Sequence, residues 1–151
     1  MKTLTQMIVV AGVFVAVPQF AGCDRSHAEA HAEHEHPSHR ELIEGTDIHK
    51  VSWTKKAAER TGLETGEVTQ QKGSRDEEQK LAVPYSSILY TPEGKTWVYT
   101  VPQEREFVRH EIEVDYIEGQ LVYLDDGPPV GTTVATVGVA EIYGSEFEVG
   151  H

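Results

Sequence analysis

Val83-Pro84-Tyr85-Ser86-Ser87-Ile88-Leu89-Tyr90, Thr91-Pro92-Glu93-Gly94-Lys95 and Thr96-Trp97-Val98-Tyr99 form the stretch that decides the fold. Two apolar and aromatic runs flank a Pro-Glu-Gly-Lys turn, which predicts a β-hairpin with a four- or five-residue loop. Pro92 presets the turn, and Gly94 supplies the positive φ that such loops require. Downstream, Phe107-Val108-Arg109-His110-Glu111-Ile112-Glu113-Val114 alternates apolar and polar after Val108, as a half-buried strand does. Leu121-Val122-Tyr123-Leu124 is a short apolar strand after a Glu118-Gly119-Gln120 turn, and residues 132–139 are rich in Thr and Val, which suit a pleated surface. Turn signals recur roughly every ten residues, the spacing of a small sandwich or barrel.

Upstream, Ile48-His49-Lys50-Val51-Ser52-Trp53 reads as a strand. Residues 54–63 predict a short helix capped by Thr54 and stopped by Gly62, and residues 63–68 a second short strand. Between 70 and 80 the chain is Gln-Gln-Lys-Gly-Ser-Arg-Asp-Glu-Glu-Gln-Lys, with no apolar residue, which reads as a linker or exposed loop. The expected fold is mostly β: a small barrel-like β-roll of six to seven strands with one short helix. The segments 46–68 and 81–138 are expected to share one sheet. Core candidates are Ile48, Val51, Leu63, Val83, Ile88, Val98, Val108, Ile112, Val114, Val122, Leu124, Val134 and Val137. The tail after Val139 reads as a last strand followed by a disordered end, with His151 as a further candidate metal ligand.

The remaining composition narrows the function. The chain has 151 residues, enough for one small domain with tails. It carries 25 acidic against 13 basic residues, a formal net charge of −12. No cluster of Lys and Arg could neutralise phosphates, so nucleic-acid binding is not expected. A single cysteine, Cys23, leaves no intrachain disulfide. Residues 1–22 have the three parts of a secretory signal: a lone early Lys2, an apolar run from Met7 and small residues at the end. The run falls short of the roughly 20 residues needed to span a bilayer.

Phe20-Ala21-Gly22-Cys23 resembles the bacterial lipobox, in which the cysteine is diacylated and becomes the mature N-terminus. That resemblance implies lipidation at Cys23, with each buried CH₂ contributing about 0.8 kcal/mol to the anchor. Asp24 resembles the signal that retains Gram-negative lipoproteins on the inner membrane facing the periplasm. Residues 23–40 then read as a flexible tether. Five of the eight histidines, His27, His31, His34, His36 and His39, lie there, interleaved with Glu29, Glu33 and Glu35. Such a run holds nothing that forms a core, and its imidazoles suit Zn, Cu, Ni or Co. No spacing matches a fixed zinc motif, so binding would be loose and pH-dependent, and no obligatory cofactor is expected.

The folded region, 41–147, with its linker at 70–80 and a 148–151 tail, resembles a known family. Val51-Ser52-Trp53-Thr54, Ala57-Ala58 and Gly62-Leu63-Glu64-Thr65-Gly66-Glu67-Val68 are similar to the segment that opens many periplasmic adaptor subunits of resistance-nodulation-division (RND) efflux pumps. Val83-Pro84-Tyr85-Ser86-Ser87-Ile88, the Pro-Glu-Gly-Lys turn, Thr96-Trp97-Val98-Tyr99, the Arg109 strand and Pro129-Val130-Gly131-Thr132-Thr133-Val134 resemble the membrane-proximal domain of the same adaptors, also called membrane fusion proteins. The heavy-metal branch is nearest in flavour. In a full adaptor a lipoyl-like domain, usually with a helical hairpin, and a β-barrel domain separate these segments; here only residues 70–80 do. The resemblance therefore implies a truncated, non-catalytic adaptor, lipid-anchored at the membrane, with an RND transporter as its partner. The alternative is a free-standing metal-buffering lipoprotein.

Catalysis is not expected. His49 and His110 sit in predicted strands without a nearby nucleophile, and Ser86-Ser87 lacks a Gly-rich elbow. Asp125-Asp126-Gly127 lacks the spaced ligands of a calcium loop. No phosphate-cradling Gly motif is present.

Overall fold

The Thr91 N–H donates to the Lys95 carbonyl at 3.0 Å and the Gly94 N–H to the Thr91 carbonyl at 2.9 Å, closing the hairpin that the sequence predicts. Gly94 takes φ 79°, the left-handed value that the Pro-Glu-Gly-Lys turn requires. This is seen in a computed structural model that describes residues 36–148. The chain divides into two units, Met1–Glu33 and His34–His151, and every described residue belongs to the second. The segment 1–22 read as a secretory signal, Cys23, His27, His31, His34 and His151 lie outside the described residues.

The strands are β1 (Ser38–Leu42), β2 (His49–Trp53), β3 (Glu64–Glu67), β4 (Thr69–Gln71), β5 (Lys80–Pro84), β6 (Leu89–Tyr90), β7 (Thr96–Gln103), β8 (Glu106–Glu118), β9 (Leu121–Asp126) and β10 (Thr133–Val137). Two helices, α1 (Lys55–Thr61) and α2 (Val139–Phe147), complete the described part. Seven strands form a continuous antiparallel path, β3-β10-β7-β8-β9-β5-β4. β2 pairs with the start of β8 and with β1, and β6 pairs with β7. The two ends of the path, β3 and β4, are joined by one residue, Val68, which is buried. Its N–H donates to the Thr132 carbonyl at 2.9 Å, and its carbonyl accepts from Gly131 at 2.8 Å. A sheet whose first and last strands meet at a single residue must curl on itself, so the expected mostly-β roll is the architecture found. The segments on either side of the linker share it through β2–β8, β3–β10 and β4–β5 pairing.

Because successive strand residues point to opposite faces, the middle strands feed two separate cores. Val98 and Val134 join Val68, Val83, Ile112, Val122 and Leu124 inside the roll. Their neighbours Tyr99 and Ala135 turn the other way, joining Val51, Trp53, Phe107 and two α2 residues, Val139 and Ile142. Trp53 and Phe107 meet edge to face, with centroids 5.1 Å apart. Of the predicted core, Val51, Val83, Val98, Ile112, Val122, Leu124 and Val134 are buried. Ile48, Leu63, Ile88, Val108 and Val114 are half-buried, and Val137 is exposed. A register shift between Ala135 and Val137 turns Val137 outward.

Local signals act as their chemistry dictates in α1. The Thr54 hydroxyl accepts from the Ala57 N–H at 3.2 Å, and Gly62 ends the helix in the left-handed conformation. Thr54→Ala is expected to cost about 1 kcal/mol, read by chemical denaturation.

Four readings change. The run 83–90 is not one strand: Pro84 leads into a 3-10 turn, Tyr85–Ser87, in which the buried Ser87 hydroxyl donates to the Pro84 carbonyl at 2.6 Å. The 70–80 linker is shorter at both ends, because β4 and β5 claim residues 69–71 and 80. What remains is tacked to β8: the Ser74 N–H donates to Glu118 at 3.1 Å, Tyr116 donates to Asp76, and Arg75 lies 4.9 Å over the Tyr116 ring. Ordered strand also begins at Ser38, inside the segment read as tether. Finally, the last strand expected after Val139 is a helix: α2 spans Val139–Phe147, with Ile142 and Glu146 fully buried.

Candidate functional site

The described end of the histidine-rich segment runs directly into β1. His36 and His39 are both exposed, His39 opposite Ser52 on β2. Both line one cleft of 510 Å³ with Pro37, Ser38, Arg40, Ser145 and Glu148. The structure thus brings two of the five predicted histidines to the seam between β1 and the end of α2. Among the described residues no group of three or more His, Cys, Asp or Glu is placed to hold a metal ion. Arg40 closes the floor of the seam. One guanidinium nitrogen donates to the Glu146 carbonyl at 3.0 Å, and the other pairs with Glu148 at 2.8 Å.

Beneath this seam lies a buried charged knot that the sequence did not announce. Glu146 has no exposed surface and Arg109 is 8% exposed. Arg109 Nε donates to Glu146 Oε1 at 3.2 Å, the Tyr99 hydroxyl to Oε2 at 2.6 Å, and the His49 backbone N–H to Oε1 at 3.4 Å. The guanidinium is 4.2 Å from the Trp97 ring centroid and 5.2 Å from that of Phe147. Cation–π contact and charge-assisted hydrogen bonds together offset the desolvation of both charges. Strand pairing sets the geometry, because Tyr99 faces Arg109 across β7 and β8. A carboxylate with a guanidinium and a phenol at hydrogen-bonding distance could in principle move protons. The knot is instead buried under α2, and Arg109 Nε, the Tyr99 hydroxyl and the His49 N–H all donate to the helix's own Glu146.

Burial, and next the hydrogen bond to Glu146, push the Tyr99 phenol well above its ordinary value. Burial, helped by Asp76, pushes Tyr116 up to about 12. An unfolded phenol loses its proton near 10. Between that pH and the folded values the unfolded chain binds fewer protons, so stability falls as pH rises above about 10. Tyr99→Phe is expected to flatten that decline when unfolding is followed from pH 8 to 11.5. An unchanged slope would contradict the assignment.

Of the other residues considered for chemistry, the acidic turn after β9 has a structural partner, whereas the buried His49 Nδ1 has no hydrogen-bond partner among the described residues. Asp125 accepts from Lys80 at 2.7 Å, and Asp115 pairs with the same lysine. These two hydrogen bonds raise the lysine's pKa, Asp115 first. No helix among the described residues is long and apolar enough to cross a membrane.

No protein-family model matches the chain, and no curated protein matches it. A solved structure does. It is the NMR structure of the N-terminal metal-binding site and the membrane proximal domain of SilB from Cupriavidus metallidurans CH34. Identity is 17% and the TM-score is 0.42, over 63% of this chain and 53% of that one. The chain therefore spans about half the length of the structure it matches.

Proposed function

We propose that the protein is a non-catalytic, adaptor-like module of the cell envelope, anchored through Cys23 and docking on an RND-type heavy-metal transporter. One observation carries the reading. The two sequence segments that resemble the start and the membrane-proximal end of efflux adaptors pair in a single sheet, through β2–β8 and β3–β10, with only a short loop between them. An adaptor reduced to this domain keeps its membrane-proximal surface and lacks the hairpin that reaches an outer-membrane channel. In-cell crosslinking of the full-length chain followed by affinity capture is expected to recover an inner-membrane transporter. Recovery of none would remove the adaptor role.

A metal-buffering role is the second reading, favoured by the five histidines and by the shared cleft of His36 and His39 beside Glu148. Neutral imidazole suits Zn, Cu, Ni or Co, and the remaining donors would come from His27, His31 and His34. Zinc titration should compare the mature chain with a form lacking residues 24–37 and carrying His39→Ala. Weaker binding by the shortened form is expected, and equal affinity would exclude the tether as the ligand set.

A further inference from the structure

We propose that α2 is a hinged cover, lifting from the sheet as a unit about Gly138 while the strands remain paired, with the Glu146 carboxylate as the latch that holds it shut.

The hinge is local. Gly138 takes φ 90°, and a Cβ there would meet Thr61 Cγ2 at 3.0 Å and the Trp53 ring at 3.4 Å. Only glycine turns the chain from β10 into the helix so close to those side chains. The helix starts without a side-chain cap and carries Gly144-Ser145 in its second half, so at nine residues it cannot stand without the sheet. Its polar hold is concentrated at the far end from the hinge. Trp53 Nε1 donates to the Ser145 hydroxyl at 3.0 Å, Arg40 to the Glu146 carbonyl, and Tyr99, Arg109 and the His49 N–H to the Glu146 carboxylate. No backbone-to-backbone hydrogen bond among the described residues joins α2 to a strand.

The strands beneath keep an independent framework. Their ladders and the core inside the roll contain no α2 residue. Lifting α2 therefore breaks one set of side-chain contacts and no strand ladder, the condition for a sub-global opening. What it uncovers is specific: Val51, Trp53, Tyr99 and Phe107, an apolar and aromatic face that the closed helix hides. The cover and its latch do not depend on the transporter or metal readings above.

Hydrogen exchange by mass spectrometry on the full chain tests this. In the wild type, amides of residues 142–147 are expected to exchange at least tenfold faster than those of Val98–Thr100 and Arg109–Ile112, with a weaker dependence on added urea. Glu146→Gln should raise the α2 rates a further tenfold or more and leave the strand rates unchanged, whereas Glu141→Gln, on the exposed side, should change neither. Equal protection of α2 and the strands with the same urea dependence in the wild type would overturn the proposal, whether or not the variant folds. So would a Glu146→Gln variant in which helix and strands speed up by one common factor.

Discussion

Arg109→Met is expected to destabilise the domain by about 3 kcal/mol, toward the low end of the 3–5 kcal/mol typical of removing one partner of a buried ion pair. The cost arises because Glu146, fully buried, would be left without its cation, with only the Tyr99 hydroxyl and the His49 N–H as donors. Lifting α2 bounds the loss, since a raised helix returns the carboxylate to water. Adding Glu146→Leu is expected to recover most of the stability, and a further Tyr99→Phe to remove the orphaned hydroxyl. Apolar replacements of buried ionic groups are often neutral or stabilising. Urea denaturation of the single, double and triple variants gives the comparison. A double variant no more stable than Arg109→Met alone would mean that the knot contributes through shape and not through charge.

Phe107→Ala should cost about 3–5 kcal/mol, the usual range for removing a fully buried aromatic ring. Phe107 has no exposed surface, and it stands at the pairing of β2 with β8, packed edge to face on Trp53. Its loss opens a cavity under both helices at the place where the upstream segment joins the downstream sheet. Val108→Ala, one residue along and half-buried, should cost well under half as much. Comparable losses at the two positions would show that the face assignment of β8 is wrong.

That pair of residues also shows where sequence reading stops. The alternation of the 107–114 run marks a strand, but not which of its two faces is covered. Val108 reads as core under the assumption of one face buried throughout, whereas the strand buries Phe107 and Arg109 on one face and, further along, Ile112 on the other. Trp53, Tyr99 and Phe107 belong to the second core, whose lid is α2, and α2 was not legible. Gly144-Ser145 argues against a helix by propensity, and Val139, Ile142 and Glu146 face inward only because a sheet is there to receive them. The Arg109–Glu146 pair spans 37 positions, and nothing local selects Glu146 as the partner from 25 acidic residues. Two of the histidines singled out by composition, His36 and His39, come to one cleft, but the acid beside them, Glu148, comes from the other end of the chain.

By itself, the sequence determined what short-range physics controls: the Thr54 cap and Gly62 stop, the Gly94 turn, the strand runs and the polar loop. Each depends on sterics and hydrogen bonds within a few residues. Only the tertiary structure decided that β3 and β4 meet at Val68, that a helix forms after Gly138, and that one glutamate is buried against an arginine and a tyrosine. Those outcomes depend on which distant surfaces cover each other, and the free energy of that burial belongs to the assembled sheet as a whole.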